Sequence, residues 1–198
     1  MAEEIEKSPK EKSDIEKIDE ESSAKAIEKV DKNILINKQN VVGKRLLRLL
    51  PFQVFILVAD ADGKTDTKEV AQFRDFLNQR EKNCSNAYTR RMFHATVVNY
   101  SALTNRYLGG HIVKDFKIVK KAMDYMQMVV SQTIMREICK DLKELAVSVA
   151  EASGGFLGMT SPISDEEAAV IEKLDQIFQQ AIDLAEGDDV IDEKQLDF

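Results

Sequence analysis

Two short acidic segments contain the side chains of this sequence that are best suited to chemistry. In the first, two aspartates precede a glycine and a glutamate follows farther along; in the second, acidic residues stand on both sides of a glycine-rich stretch. The candidate ligands are Asp60, Asp62, Glu69, Glu151, Asp165, Glu166 and Glu167. Carboxylate oxygens are the ligands that hard cations prefer, so these residues predict a site for Ca²⁺ or Mg²⁺.

The spacing of the first segment excludes one familiar calcium site, the EF-hand. That loop requires a glycine at its sixth position and a bidentate glutamate at its twelfth. Counted from Asp60, Gly63 is fourth and the twelfth residue is Ala71. A cation at this segment would therefore be bound by a different arrangement of ligands.

A purely structural role competes with metal binding for two of the glutamates. Asp66-x-x-Glu69 and Ser164-x-x-Glu167 both fit the capping box, in which the glutamate bonds back to the amide of the N-cap residue. The spacing of these residues alone favours the capping role over metal binding. Asp60 and Asp62 are different, because carboxylates at the C-terminal end of a helix oppose its dipole and require a compensating positive charge.

The two acidic segments align with each other. Residues 58–63 match residues 149–154, and after an insertion in the second copy Glu69 matches Glu167. Each copy has an apolar helix, a glycine turn and a polar N-cap, which predicts two pseudo-repeated helix-loop-helix motifs whose loops face each other. Ser153 stands where the first copy has Asp62, so the second copy offers less charge to a cation.

Both motifs resemble the signatures of TerB-like tellurite-resistance proteins. Val58-Ala59-Asp60-Ala61-Asp62-Gly63 followed by Glu69 resembles the first signature, and residues 150–158 followed by residues 163–167 resemble the second. The resemblance covers residues 45–182, and its specific part is the two motifs. It implies an all-α fold, an acidic cluster that binds metal, and a role in bacterial tellurite and stress responses. The charged N-terminal region and the basic middle depart from the family.

The elements that would position these motifs are helices. The chain has 198 residues with only 8 Gly and 3 Pro, and its apolar residues follow helical spacing. We expect an all-α, compact bundle of about six or seven helices. Residues 1–33 are expected to form a charged, disordered tail, residues 34–186 the TerB-like helical domain, and residues 187–198 an acidic tail.

Several helix boundaries follow from caps and breaks. The first apolar pattern begins near Val42, is broken at Pro51 and continues to Asp60; a second helix is capped by Asp66. A third extends from about Asn86 to Asn105 with Val98 directed inward. Residues 113–152 form a long apolar stretch with a turn near residues 131–133, and Ser164 caps the last helix. The residues expected to be buried are Phe55, Phe73, Val149, Ile171 and Leu174.

Charge and motif content limit the possible functions. The net charge is −7, which disfavours nucleic acid as a partner, although residues 74–143 have an excess of Lys and Arg that suits an acidic protein partner. A membrane surface is not expected, because Lys114, Lys117, Lys120 and Lys121 are interpreted as a solvated helix face. The oligomeric state stays open.

The sequence also lacks the marks of an enzyme and of an exported protein. It has no P-loop, dinucleotide fingerprint or G-x-S-x-G motif. Its acidic start does not fit a signal peptide, so we expect a cytoplasmic protein. The leading hypothesis is a non-enzymatic, TerB-like stress-response protein that binds a divalent cation. The alternative is a helical adaptor that binds a protein partner, with purely structural acidic loops.

Overall fold

The computed structural model describes residues 40–63, 65, 67–84, 86–153 and 163–186. Within these residues there are six helices and no strand, which confirms the predicted all-α bundle. The helices are α1 (residues 40–59), α2 (Thr67–Asn83), α3 (Ala87–Leu108), α4 (Phe116–Met126), α5 (Gln132–Ser153) and α6 (Asp165–Asp183). The predicted tails, residues 1–33 and 187–198, lie outside the described residues, as does Asp66. The pseudo-repeat stays a prediction.

The chain divides into two units at Gly43. Only residues 40–42 of the first unit are described, and they are helical. From Gly43 onward, all six helices contribute to one hydrophobic core. No helix in the described ranges combines the length and the apolar character that crossing a membrane requires.

Helix α1 provides the centre of this core. Every residue from Leu50 to Ala59 is buried, as expected for a helix that is apolar on all sides. The predicted break at Pro51 is wrong, because α1 continues through it. An interior proline removes one backbone hydrogen bond and crowds the preceding turn. Together these effects destabilise a helix by about 3 kcal/mol. Complete burial of Leu47, Leu50 and Phe52 around it outweighs that penalty.

Helices α2 and α5 pack side by side in opposite directions. Gln72 Nε2 donates to Ser148 Oγ, whereas Arg80, two turns later in α2, bonds to Asp141, two turns earlier in α5. Because the helices are antiparallel, the start of α2 and the end of α5 lie at the same end of the pair. Helix α2 also contacts α3, and α6 contacts both α4 and α5.

Polar caps fix the starts of α3 and α4. Asn86 Oδ1 accepts from the Thr89 amide at 2.9 Å, which confirms the predicted start of this helix. Asp115 Oδ1 accepts from the Lys117 amide at 2.8 Å, so α4 begins after Asp115 and Lys114 lies in the preceding loop. The long apolar stretch is two helices, separated by a turn at residues 127–131, slightly before the predicted position.

Most of the predicted core residues are buried. Phe55, Phe73, Val149 and Leu174 are each at most 4% exposed, which confirms the prediction for these four, whereas Ile171 is only half-buried. The prediction for Val98 is wrong, since that side chain is 67% exposed. At 3.6 residues per turn, Val98 lies on the opposite side of α3 from the buried residues Met92, Thr96 and Leu103.

Candidate functional site

Asp60, the first acidic candidate, is paired with a lysine. It follows the last residue of α1, and its Oδ2 lies 2.7 Å from Lys114 Nζ. The same ammonium group donates to the Asp60 carbonyl oxygen, 2.5 Å away. A carboxylate at a helix C-terminus requires a compensating positive charge. For Asp60 that charge comes from Lys114.

A tyrosine completes the surroundings of Asp60. The Tyr107 hydroxyl forms hydrogen bonds with the side chains of Asp60 and Thr65. Burial raises the pKa of Tyr107, and the nearby Asp60 carboxylate raises it further, so the hydroxyl keeps its proton at neutral pH. Its ring packs edge-on against Phe52 with the centroids 6.2 Å apart, which anchors the site to the core.

A buried glutamine in α1 positions the loop that contains Lys114. Gln53 is 0% exposed; its Nε2 donates to the Val113 carbonyl at 3.2 Å, and its Oε1 accepts from the Asp115 amide at 3.4 Å. These bonds hold the residues on both sides of Lys114 against the helix that ends at Asp60. The predicted placement of Lys114 on a helix is wrong, because Lys114 lies in the loop before α4, although its side chain is exposed as expected.

The turn after Asp60 depends on a glycine. The Gly63 amide donates to the Asp60 carbonyl at 3.3 Å, with Gly63 at a φ of +83°. Residues with a Cβ rarely adopt this left-handed conformation, so glycine is the favoured residue here. Asp62, in the same turn, is exposed.

In the second acidic segment, Glu167 belongs to a capping box. Its Oε2 accepts from the Ser164 amide and from Ser164 Oγ, both at 2.8 Å, while the Glu167 amide donates to Ser164 Oγ at 3.2 Å. The capping alternative is therefore confirmed for Glu167, which is 5% exposed. Asp165 and Glu166 are exposed in the first turn of α6, where negative charge interacts favourably with the helix dipole.

The two remaining candidates lie at one end of the α2–α5 pair. Glu69 is 2% exposed in the first turn of α2, and Glu151 is exposed in the last turn of α5. They lie near each other along this pair because Gln72 contacts Ser148, and each glutamate is one helical turn beyond that contact. In the described ranges, no three His, Cys, Asp or Glu side chains lie close enough together to hold a metal ion.

Sequence reasoning missed five exposed arginines, which we call the arginine surface: Arg45, Arg48, Arg90, Arg91 and Arg106. None of them forms an ion pair with any residue in the described part of the chain. Arg45, Arg48 and Arg106 line a cavity of about 190 Å³ between α1 and α3. Arg90 and Arg91 line another of about 410 Å³, beside the contact of 2.5 Å between His94 Nδ1 and Glu81 Oε1. The excess of basic residues in the sequence was the available signal.

Arg80 and the two cysteines differ from the arginine surface, because Arg80 is paired and the thiols are partly or fully buried. Arg80 binds Asp141 at 3.2 Å and also contacts Glu144, which joins α2 to α5. Burial raises the pKa of the Asp141 carboxyl, although Arg80 opposes the effect. Burial also raises the thiol pKa to about 11 for Cys84 and to about 12 for Cys139. Both thiols therefore stay protonated and weakly nucleophilic at neutral pH.

Comparisons with protein-family models, with curated proteins and with solved structures gave no match. The resemblance to TerB-like proteins therefore rests on the two acidic motifs alone.

Proposed function

We propose that this protein is a non-enzymatic, cytoplasmic helical adaptor that binds an acidic protein partner through the arginine surface. One observation carries the proposal: five exposed guanidinium groups have no carboxylate partner within the described residues. Lys114 and Lys143, by contrast, are paired with aspartates. Arginine is the side chain best suited to bind carboxylate or phosphate groups at an interface.

In the proposed adaptor the acidic loops have structural roles, and two of their contacts fit such roles. The charge of Asp60 is balanced by Lys114, and the Glu167 carboxylate bonds to Ser164 as a cap. An adaptor needs no cation at these positions. The protonated thiols of Cys84 and Cys139 further support a protein without covalent catalysis.

The adaptor function can be tested with a fluorescein-labelled polyglutamate peptide and fluorescence anisotropy. We expect the wild type to bind it and added salt to weaken binding. Arg48→Gln/Arg106→Gln and Arg90→Gln/Arg91→Gln should each weaken binding by at least about tenfold, because each variant removes two arginines and the loss of even one charge-assisted hydrogen bond has that effect. The control Lys117→Gln/Lys121→Gln removes the same charge from α4 and should bind like the wild type.

Two results would reject the adaptor function at this surface. One is no binding of polyglutamate by the wild type even at low salt. The other is equal weakening by the control and the arginine variants, since this would mean that total charge alone attracts the peptide. Tighter binding of a labelled oligonucleotide than of polyglutamate would instead identify nucleic acid as the partner.

A second candidate function is divalent-cation binding by the acidic loops, in a TerB-like protein of bacterial tellurite and stress responses. The position of Lys114 favours it, because its ammonium lies between a carboxylate oxygen and a carbonyl oxygen of Asp60. In that position the ammonium stands in for a cation with oxygen ligands. In this alternative Asp62 and Glu69 supply further carboxylates only after the loop rearranges, because the described residues do not bring three carboxylates together here.

Calorimetry with Ca²⁺, Mg²⁺ and Mn²⁺ tests the second candidate. We expect the wild type to bind one of these cations at millimolar concentration, and Asp62→Asn and Glu69→Gln to lose that binding. Asp124→Asn, on the outer face of α4, is the control and should retain it. If the wild type binds none of the three cations, the cation function is rejected and the adaptor remains.

A further inference from the structure

The cavity between α1 and α3 has a polar rim from two helices. Arg45 and Arg48 are one turn apart and share a face of α1, while Asn99 and Arg106 are two turns apart and share a face of α3. Leu49, Ala102 and Leu103 form the apolar part of the lining; Leu103 is 6% exposed and Leu49 is half-buried. The rim therefore directs hydrogen-bond donors from two sides toward an apolar floor.

The charge of this cavity indicates what it binds. Three guanidinium groups line it, and none is neutralised by a carboxylate in the described part of the chain. Like charges repel one another, so an anion that binds among them relieves this repulsion. Guanidinium groups bind phosphate and carboxylate through paired, charge-assisted hydrogen bonds. A phosphate monoester has nearly two negative charges and three acceptor oxygens, so it suits three arginines better than a carboxylate does.

The volume of the cavity indicates whether it can hold a whole small molecule or only one functional group of a larger molecule. Its volume of about 190 Å³ is below the roughly 300–1,000 Å³ of typical small-molecule sites. A cavity of this size admits a single functional group that a larger molecule presents. We infer that it receives the phosphate of a phosphorylated side chain of the protein partner, an inference that rests on the proposed adaptor function.

The probes are three labelled peptides that share one neutral sequence and differ at a central residue, which is phosphoserine, glutamate or serine. We expect fluorescence anisotropy to show that the full-length protein binds the phosphoserine peptide about tenfold more tightly than the glutamate peptide. The serine peptide should not bind. Arg48→Gln/Arg106→Gln should weaken phosphoserine binding by about tenfold or more. Lys117→Gln/Lys121→Gln removes the same charge from α4, outside the arginine surface, and should leave this binding unchanged.

Several outcomes would overturn the inference. Equal affinity for phosphoserine and glutamate would show that the cavity does not distinguish phosphate, and an unchanged phosphoserine affinity in Arg48→Gln/Arg106→Gln would place binding elsewhere. Phosphatidic acid vesicles that bind through these arginines when the peptide does not would identify a lipid instead. Polyglutamate distinguishes the two proposals: if it binds through the arginine surface without a phosphoserine preference, the adaptor function stands and only this inference fails.

Discussion

Lys114 reaches Asp60 across 54 positions of the chain and contacts two oxygen atoms of that residue. The carbonyl groups at the end of a helix lack partners within the helix, and a carboxylate at the same end adds negative charge. One ammonium group satisfies both requirements. A single lysine therefore decides whether the first acidic loop needs a cation from solution.

Replacing Lys114 by methionine removes this charge and keeps the aliphatic chain. We expect Lys114→Met to lower the free energy of unfolding by about 1 kcal/mol, since the pair is partly exposed and its attraction is screened by solvent. Urea denaturation measures the change, with Lys117→Met as the control at an exposed lysine. Equal stability of the two variants would contradict the structural role of Lys114. If the acidic loops bind cations, Ca²⁺ should bind Lys114→Met more tightly than the wild type.

Asp141 provides a prediction about pH. Burial raises its pKa above the ordinary value of 3.8, with Arg80 acting in the opposite direction. The folded state therefore holds this proton more tightly than the unfolded state, and stability from this group is lost as the pH rises from about 4 through the raised pKa. The free energy of unfolding of the wild type minus that of Asp141→Asn should decrease over this range.

Urea denaturation of both proteins at a series of pH values measures that difference. Carboxyl groups far from Asp141 titrate alike in the two proteins, so their effects cancel. The attraction of Arg80 acts on the ionised form of Asp141 alone, so it lowers the folded-state pKa and makes the expected decrease smaller. A difference that increases with pH would show that the attraction of Arg80 outweighs the burial of Asp141.

At the scale of the helix, variants of the α6 capping box can show whether Glu167 has a structural role or acts as a metal ligand. We expect Ser164→Ala to lower the free energy of unfolding by about 1 kcal/mol, because the α6 amide that this hydroxyl caps loses its partner. Glu167→Gln should change it much less, since glutamine also accepts the bond from the N-cap amide. Thermal denaturation followed by circular dichroism, in buffer that contains a chelator, compares the stabilities of the two variants. A larger loss in Glu167→Gln than in Ser164→Ala would mean that the charge of Glu167 matters more than its cap.

Local sequence signals predicted most of the helices. They failed where the structure depends on contacts between residues that are far apart in the chain. Ser164 could be recognised as a cap, and Asn86 as the start of a helix, because the bonds they form lie within one turn. The continuity of α1 at Pro51 could not, because it depends on core residues packed around the proline. The partnership of Lys114 with Asp60 also depends on Gln53, which gives no signal in its own segment. In the candidate site, the need for positive charge was predictable but its source was not.

At the scale of the whole molecule, stability depends on the shared core. Leu174 in α6 is 1% exposed, and truncation to alanine should cost about 2–5 kcal/mol through lost burial and a residual cavity. Leu184→Ala is the matched control, since Leu184 is 50% exposed just after the same helix and should change stability much less. Chemical denaturation followed by circular dichroism measures both. An unchanged midpoint for Leu174→Ala would contradict the packing of α6 on the core.

The complete burial of residues 50–59 in α1 has a consequence for synthesis. A ribosome makes this helix before the five described helices that follow it and cover it. At typical rates of translation, the interval until Asp183 is added is on the order of ten seconds. During that time this helix has only part of the surface that covers it in the folded protein. Yield in the cell should therefore depend on holding chaperones that shield this segment until translation is finished.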